Sequence, residues 1–238
     1  MCTVTYLPKG KNSFILSSSR DEKALRKPAE PPSFHEIDGR KILFPRDPQG
    51  GGTWIAVSDR GRTICLLNGA FEKHISKPPY RKSRGLVALD ALMSVSLYEF
   101  QSSYALSGIE PFTLVEVYEE SLKEFRWDGK KSYLKIQEAD RTHIWSSATL
   151  YSEEIIGQRE KWFESWLKEN QDLSQDAIRH FHHSGGKEDS YNGIRINREN
   201  FMLTLSITTV SKKGNDVSMI YEDLMEDKIY RQDFKTSL

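Results

Sequence analysis

Cysteine is scarce in this 238-residue chain, which contains only Cys2 and Cys65. Two thiols are too few for the disulfide framework of a small secreted domain, so we expect a reducing compartment, the cytoplasm. The chain also lacks an apolar run of signal-peptide length near its start, and its apolar runs fall far short of the ~20 residues of a membrane-spanning helix. These absences predict a cytoplasmic, globular protein without an integral membrane segment.

A surplus of charge of either sign is also missing. The 34 Lys and Arg residues balance the 34 Asp and Glu residues, so no global field favours nucleic acid or an anionic membrane as a partner. We therefore expect a small-molecule substrate or ligand and no nucleic acid. Because the sequence has no repeat, low-complexity tract or clear linker, we expect a single domain over residues 1–238.

The first 70 residues alternate apolar and polar side chains and are rich in β-branched residues, a pattern typical of strands. We predict one hairpin from residues 2–7 and 14–19, and a second from residues 53–58 and 62–68. Residues 26–34 contain three prolines, which predicts a loop. Later segments with strand character are residues 41–44, 111–120, 122–136, 142–147, 191–196, 201–210, 217–223 and 228–234.

Three helices are predicted from the spacing of apolar residues. One long helix covers residues 84–100, and a second begins after Ser152, a good N-cap, and ends near Asn170. A short third helix covers residues 174–182. Together with about eleven strands in two groups, these helices indicate an α+β layered architecture.

Cys2 follows Met1 directly, and this position has two interpretations. Methionine aminopeptidases remove Met1 when the second residue is small, so the mature chain would start with a thiol and a free α-amine on one residue. An α-amine has a pKa near ~8, compared with ~10.4 for lysine, so it can accept the proton of its own thiol at neutral pH. The alternative for Cys2 is a small buried residue at the start of a strand. Cys65 is expected to be a core residue.

Arg20 and Asp21 stand at the end of the strand that we expect to pair with the first one. A guanidinium near Cys2 would favour the thiolate. A carboxylate could hold the new α-amine, or it could orient the arginine through two hydrogen bonds. The alternative is an exposed ion pair in a turn, which stabilises a protein by at most ~1 kcal/mol.

A run of glycines at residues 50–52 precedes Thr53 and Trp54, and Asn68 ends the next predicted strand. A loop without side chains can present backbone N–H groups to an oxyanion, or it can simply be a flexible approach to a hairpin. The Asn68 amide can likewise donate to an oxyanion, or form a turn with Gly69.

The histidines His180, His182 and His183 lie close together in sequence. No carboxylate or cysteine stands at a recognisable ligand spacing from them, and histidines at a helix C terminus interact favourably with the helix dipole. We therefore expect no metal site here and no cofactor elsewhere in the chain.

These motifs form an ordered set that resembles the NRDE family, also known as the Transport and Golgi Organisation protein 2 family. The set consists of Met1-Cys2, Ser19-Arg20-Asp21-Glu22, Gly51-Gly52-Thr53-Trp54 through Ser58 and Gly61, Asn68, Ser83-Arg84-Gly85 and residues 144–150. The resemblance covers most of the chain and is densest in its first 70 residues. Two positions depart from the family pattern, because Ser19 and Ser147 stand where asparagine is more usual.

The family in turn resembles the N-terminal nucleophile hydrolases, including the cysteine amidases of the choloylglycine hydrolase group. This implies a four-layer αββα sandwich of two antiparallel sheets and an acyl-transfer reaction on a non-peptide amide or acyl bond. The residues implied are Cys2 as nucleophile and base, Arg20 and Asp21 beside it, Asn68 at the oxyanion, and Gly51, Gly52, Thr53, Trp54 and Ser147 for substrate binding. Adjacent strand residues face opposite ways, so Asp21 would face the nucleophile only if the chain has left the strand there.

A second function remains open at this point. The resemblance is equally compatible with a non-catalytic binding or trafficking protein on the same fold, because family members are associated with Golgi organisation and with haem or lipid handling. The two functions differ in what they require of Cys2. Only the hydrolase needs Met1 to be removed and the thiol to be reactive.

Overall fold

The computed structural model describes residues 3–237 and contains two antiparallel sheets and four helices. The strands are β1 (Thr3–Pro8), β2 (Ser13–Lys23), β3 (Glu30–Ile37), β4 (Arg40–Arg46), β5 (Ile55–Ser58), β6 (Thr63–Asn68), β7 (Phe112–Tyr118), β8 (Ser121–Trp127), β9 (Ser132–Gln137), β10 (His143–Ser146), β11 (Asn197–Arg198), β12 (Met202–Lys213), β13 (Asp216–Asp223) and β14 (Lys228–Lys235). The helices are α1 (Arg84–Met93), α2 (Leu97–Ser103), α3 (Glu153–Glu169) and α4 (Gln175–Ser184).

The elements form four layers. The first sheet has the strand order β10-β1-β2-β12-β13-β14, with β11 beside β12, and the second sheet runs from β3 to β9 in sequence order. Helices α3 and α4 pack on the first sheet, whereas α1 and α2 pack on the second. The fold is therefore the αββα sandwich that the family resemblance implies. Within residues 3–237, none of the helices has the length and apolar character needed to cross a membrane.

The first sheet has two buried faces, which we call the sandwich face and the helical face. Val4 and Tyr6 of β1 point from the sandwich face into the core between the sheets, and Leu16 of β2 joins them. Leu7 and Ile15 pack instead against α3 and α4 from the helical face. Side chains alternate along a strand, so in β1 and β2 the even-numbered residues face the other sheet and the odd-numbered residues face the helices.

The predicted hairpins and the second helix are confirmed. Strands β1 and β2 pair from Thr3, opposite Ser19, onward, and β5 pairs with β6. The side chain of Ser152 accepts a hydrogen bond from the backbone N–H of Ile155, and Asn170 is the C-cap of α3. Such a bond satisfies one of the free N–H groups in the first turn of a helix.

The long helix predicted over residues 84–100 is wrong in its extent, because the chain forms α1 and α2 instead. The backbone at Ser94 is extended and ends α1, and Ser96 caps α2 by accepting a hydrogen bond from the N–H of Glu99. Serine competes for backbone hydrogen bonds in this way and favours helix ends over helix interiors. The apolar spacing continues across the break, so the periodicity did not reveal it.

Two further local predictions are wrong. The proline-rich segment 26–34 is not entirely a loop, because β3 begins at Glu30 and includes Pro31 and Pro32. The pairing of β3 with β4 is irregular between Glu30 and Ser33, and β3 is an edge strand, where prolines are tolerated. Conversely, residues 191–196 contain no strand, and only the short β11 follows them.

Candidate active site

A cavity of about 360 Å³ opens where β2 and β6 end beside the N terminus of α1. Its walls combine charged side chains with glycine backbone. The lining residues are Arg20, Glu22, Arg26, Asp47, Gly50, Gly52, Thr53, Trp54, Leu66, Asn68, Tyr80, Lys82, Ser83, Arg84, Gly85 and Glu110. Five of the residues expected to act in catalysis or substrate binding, namely Arg20, Gly52, Thr53, Trp54 and Asn68, thus lie around one cavity.

Arg20 is the most deeply buried charge in this wall. Only 2% of the residue is exposed, and its guanidinium carbon lies 4.9 Å from the ring centroid of Trp54. Its Nη2 donates to Oδ2 of Asp47 over a distance of 3.4 Å, which is long for such a bond. Most N–H groups of Arg20 therefore have no hydrogen-bond partner within residues 3–237. Cys2, the predicted neighbour of Arg20, lies outside the described residues.

Asp47 is shared by two arginines. Its Oδ2 accepts a 2.5 Å hydrogen bond from Nη2 of Arg26 in addition to the longer bond from Arg20. Burial raises the pKa of the Asp47 carboxyl, but the hydrogen bond and charge of Arg26, with the charge of Arg20, outweigh this effect and lower the pKa overall. Asp47 is therefore ionised at neutral pH, and one positive charge remains in excess among these three residues.

The glycine segment lets two stretches of backbone touch. A Cβ atom on Gly52 would lie 2.2 Å from the carbonyl carbon of Gly85 in α1, a distance that no side chain can occupy. Gly51 has a φ of 73°, a left-handed conformation that favours glycine. The hydroxyl of Thr53 donates to the carbonyl oxygen of Pro45 at 2.6 Å, so Thr53 holds the loop in place. The close packing brings the first turn of α1 to the cavity.

Asn68 and Ser147 occupy different positions relative to the cavity. The Asn68 side chain lines the cavity and makes no hydrogen bond to another described residue. Ser147 is fully buried, and its hydroxyl donates to the backbone oxygen of Asn68 at 2.8 Å. Ser147 was predicted to bind substrate; its observed contact is with the backbone that carries Asn68.

Asp21 lies on the other side of the sheet from the cavity. Strand β2 continues to Lys23, so Asp21 follows the strand alternation and faces the helical layer. Its Oδ2 accepts a 2.7 Å hydrogen bond from the hydroxyl of Tyr151, and its Oδ1 accepts a 2.6 Å bond from Thr204. The carboxylate that touches Arg20 is thus Asp47, and the role expected for Asp21 remains a prediction.

The three histidines of α4 are separated by their contacts. His182 is fully buried, and its two ring nitrogens lie within hydrogen-bond distance of the hydroxyls of Thr5 and Ser19. Nε2 of His183 lies 2.9 Å from Oε1 of Glu222. Over residues 3–237 no group of three or more His, Cys, Asp or Glu side chains is arranged to hold a metal ion. That no metal binds here remains our prediction.

Several residues of the cavity wall were not predicted from the sequence. Asp47 and Arg26 come from turns, and Glu110 pairs with Arg84 at 3.0 Å across the mouth of the cavity. Burial lowers the pKa of Arg84, although the charge of Glu110 opposes this effect. The one signal available was the Ser83-Arg84-Gly85 segment, which was noted only as part of the family pattern.

The fold resembles that of known N-terminal nucleophile hydrolases. A variant of conjugated bile acid hydrolase from Clostridium perfringens matches with a TM-score of 0.58 and 10% identity, over 98% of this chain and 92% of that one. A second variant of that enzyme matches with a TM-score of 0.54 and 9% identity, over the same shares of 98% and 92%. The Caenorhabditis elegans ortholog of N-acylethanolamine-hydrolyzing acid amidase matches with a TM-score of 0.59 and 11% identity, over 87% of this chain and 92% of that one.

Sequence comparisons give the family. A search of curated protein sequences finds no match. The family model described as Transport and Golgi organisation 2 matches residues 1–214, which is most of the chain. This protein therefore belongs to the Transport and Golgi organisation 2 family and has the fold of the N-terminal nucleophile hydrolases.

Proposed function

We propose that this protein is a cysteine N-terminal nucleophile hydrolase that cleaves a non-peptide amide or acyl bond after removal of Met1. The observation that carries the proposal is the buried guanidinium of Arg20, which lines the cavity on the strand that pairs with β1. Thr3 pairs with Ser19, which precedes Arg20 in β2. The first described residue of β1 therefore lies beside the part of β2 that carries Arg20. The proposal requires the Cys2 thiol to reach the same cavity.

The proposed reaction has two stages. The α-amine of Cys2 takes the thiol proton, and the thiolate adds to the carbonyl carbon of the substrate. The bond to the leaving group then breaks, the ammonium returns the proton to that group, and a thioester remains on Cys2. In the second stage the amine takes a proton from water, the resulting hydroxide attacks the thioester, and the C–S bond breaks to release the carboxylic acid. The ammonium then returns the proton to the Cys2 thiolate.

The cavity residues have separate roles in this proposal. The charge of Arg20 favours the thiolate, because a nearby cation lowers the pKa of a thiol. The Asn68 amide, which has no other described partner, donates to the oxyanion that forms at the carbonyl. The ring of Trp54 lies against the guanidinium of Arg20 and forms part of the cavity wall, so it holds this cation beside the substrate.

The character of the cavity indicates a small polar group next to the bond that is cleaved. Four cationic and three acidic side chains contribute to the wall of a volume of about 360 Å³, so a group that enters it meets charged partners that a long apolar chain could not satisfy. An apolar part of the substrate would therefore extend outward from the cavity mouth. A reducing compartment such as the cytoplasm would keep the thiol active.

The rate of thiol alkylation tests the proposal. Intact mass first establishes that Met1 is absent, and iodoacetamide is then added at pH 7. We expect Cys2 to react about tenfold or more faster than a peptide that begins with the same residues, because Arg20 and the amine favour its thiolate. Cys65 is an internal control, since it is fully buried and burial raises its pKa to about 12.

Substrate panels separate the hydrolase from the alternative. Amide and thioester substrates should give an acyl-enzyme mass adduct that disappears in Cys2→Ala, and Cys2→Ser should retain part of the activity because a hydroxyl can use the same amine. Labelling no faster than the peptide, together with no adduct across the panel, would contradict the hydrolase. That result would favour a protein that binds and carries haem or a lipid ligand without cleaving it.

A further inference from the structure

Tyr151, Arg159 and Arg198 form a cluster on the helical face of the first sheet, on the other side of that sheet from the cavity. Arg159 of α3 is fully buried, and Tyr151, just before α3, is 4% exposed. The guanidinium carbon of Arg159 lies 3.6 Å from the centroid of the Tyr151 ring, and that of Arg198 lies 5.2 Å from the same centroid. No motif identified in the sequence includes any of these three residues.

Arg159 holds the beginning of β1. Its Nη1 donates to the hydroxyl oxygen of Thr3 at 2.5 Å, and its Nε donates to the backbone oxygen of Asn192 at 2.9 Å. Nη2 donates to the backbone oxygen of Gly193. These three acceptors are neutral, so burying this charge demands well-oriented hydrogen bonds. The guanidinium thereby fixes Thr3, the residue that follows Cys2 in the sequence.

Tyr151 holds the end of β2. Its hydroxyl donates to Oδ2 of Asp21 at 2.7 Å, while Thr204 of β12 donates to Oδ1 at 2.6 Å. The backbone N–H of Ile196 donates in turn to Thr204. Each oxygen of the buried carboxylate thus receives a hydroxyl donor, and the ring of Tyr151 links Asp21 to the guanidinium of Arg159.

We infer that Arg159 and Tyr151 are positioning residues, which act through Thr3 and Asp21 to hold the start of the mature chain for catalysis. The inference rests on the proposed function, in which the α-amine of Cys2 is the base, and it adds that Asp21 stabilises the ammonium form of that amine. The two hydroxyl donors spread the charge of Asp21 and fix its direction. Without these donors, the carboxylate exerts a stronger negative potential at the amine and the thiol. This potential raises the pKa of the Cys2 thiol, so the thiolate forms only at higher pH.

His182 lies beside this cluster, and Arg198 belongs to it. His182 of α4 is fully buried beside it, and burial first, then the charges of Arg159 and His183, lowers its pKa to about 3. His182 therefore stays neutral through the range in which Cys2 titrates. Arg198 lies on the Tyr151 ring as well, with its guanidinium carbon 5.2 Å from the ring centroid.

The test compares two tyrosine variants. Tyr151→Phe keeps the ring between the arginines and removes the donor to Asp21. Tyr191→Phe is the matched control, because Tyr191 is 53% exposed and its ring also lies against Arg198. The guanidinium carbon of Arg198 is 4.6 Å from the centroid of the Tyr191 ring. The rate of Cys2 alkylation is measured from pH 5.5 to 9.5 in the processed protein. We expect Tyr151→Phe to shift the profile to higher pH and to lower the rate at pH 7 about fivefold, while Tyr191→Phe matches the wild type.

The outcomes separate this inference from the proposed function. If the wild type reacts rapidly and Tyr151→Phe has the same pH profile, the positioning role is wrong and the hydrolase proposal stands. A uniform loss of rate at every pH, without a shift of the profile, would indicate a purely structural role. If the wild-type thiol reacts no faster than the peptide, both fail together. Should Tyr151→Phe not fold, Thr204→Val removes the other donor to Asp21 and must give the same shift.

Discussion

Arg20 and Asp21 are neighbours in sequence and lie on opposite faces of the same sheet. Arg20 faces Trp54 and Asp47 between the sheets, and Asp21 faces Tyr151 beneath the helices. The carboxylate that contacts the cavity arginine therefore comes from the turn after β4. The two members of this short motif act in different layers, and their substitutions should have different consequences.

We expect Arg20→Met to slow alkylation of Cys2 at pH 7 about tenfold and to move the alkylation profile to higher pH, because the cation that favours the thiolate is lost. Arg26→Met is the matched control, since Arg26 also binds Oδ2 of Asp47 but is more exposed and also pairs with Glu22. Its effect on the rate should be less than about threefold. An equal loss in both variants would contradict a specific role for Arg20.

A second prediction separates Asn68 from Ser147. Asn68→Ala removes the proposed donor to the oxyanion, so it should lower turnover about 100-fold. Because this side chain makes no described hydrogen bond, the free energy of unfolding should change little. Ser147→Ala removes the donor to the Asn68 backbone and should lower the free energy of unfolding by about 1–2 kcal/mol. Steady-state kinetics and urea denaturation measure the two effects. A stability loss in Asn68→Ala as large as that in Ser147→Ala would contradict the assignment.

The sequence predicted the parts of the fold that depend on local patterns. Alternation of apolar residues gave the β1–β2 hairpin, and the cap at Ser152 gave the start of α3, because both signals lie within a few residues of the structure they specify. The break between α1 and α2 was missed, since Leu97 and Phe100 continue the apolar spacing across Ser94.

The candidate site was predicted only in part for a different reason. The glycine loop and Arg20 were found because their residue types are unusual at those positions. The contact of Arg20 with Asp47 depends on how the two sheets pack, and a turn aspartate gives no sign of a partner 27 residues away. The bond between Tyr151 and Asp21 spans 130 residues and has no local pattern at all.

The buried His182 should make stability depend on pH. Its pKa is about 3 in the folded protein, compared with ~6.5 in the unfolded chain. Between these values the unfolded chain binds a proton that the folded protein does not, so stability falls as pH decreases, by about 1.4 kcal/mol per pH unit.

Urea denaturation at pH 7.0, 6.0 and 5.0 measures this effect. The His182→Gln variant should lose less stability on acidification than the wild type, and the difference between pH 7 and pH 5 should approach about 2 kcal/mol. His180→Gln is the control because His180 is exposed, and its pH dependence should match that of the wild type. Parallel curves for wild type and His182→Gln would show that folding does not lower the pKa of His182.

The last prediction concerns the contact between Gly52 and α1. In Gly52→Ala the new Cβ would lie 2.2 Å from the carbonyl carbon of Gly85 and 2.4 Å from the backbone nitrogen of Leu86. Backbone atoms cannot yield as a flexible side chain can, so the loop and the helix must separate. We expect a loss of more than about 2 kcal/mol in the free energy of unfolding, together with a loss of Cys2 reactivity.

Gly157→Ala provides the matched control, because a Cβ atom at Gly157 in α3 would meet nothing within 4 Å. Neither glycine has a left-handed φ, so neither substitution forces the backbone into a strained conformation. In an open helical position alanine should stabilise the protein by up to about 1 kcal/mol. Opposite signs of the two changes in urea denaturation would establish that the α1 backbone touches the glycine loop, whereas a Gly52→Ala protein of wild-type stability would contradict this wall of the cavity.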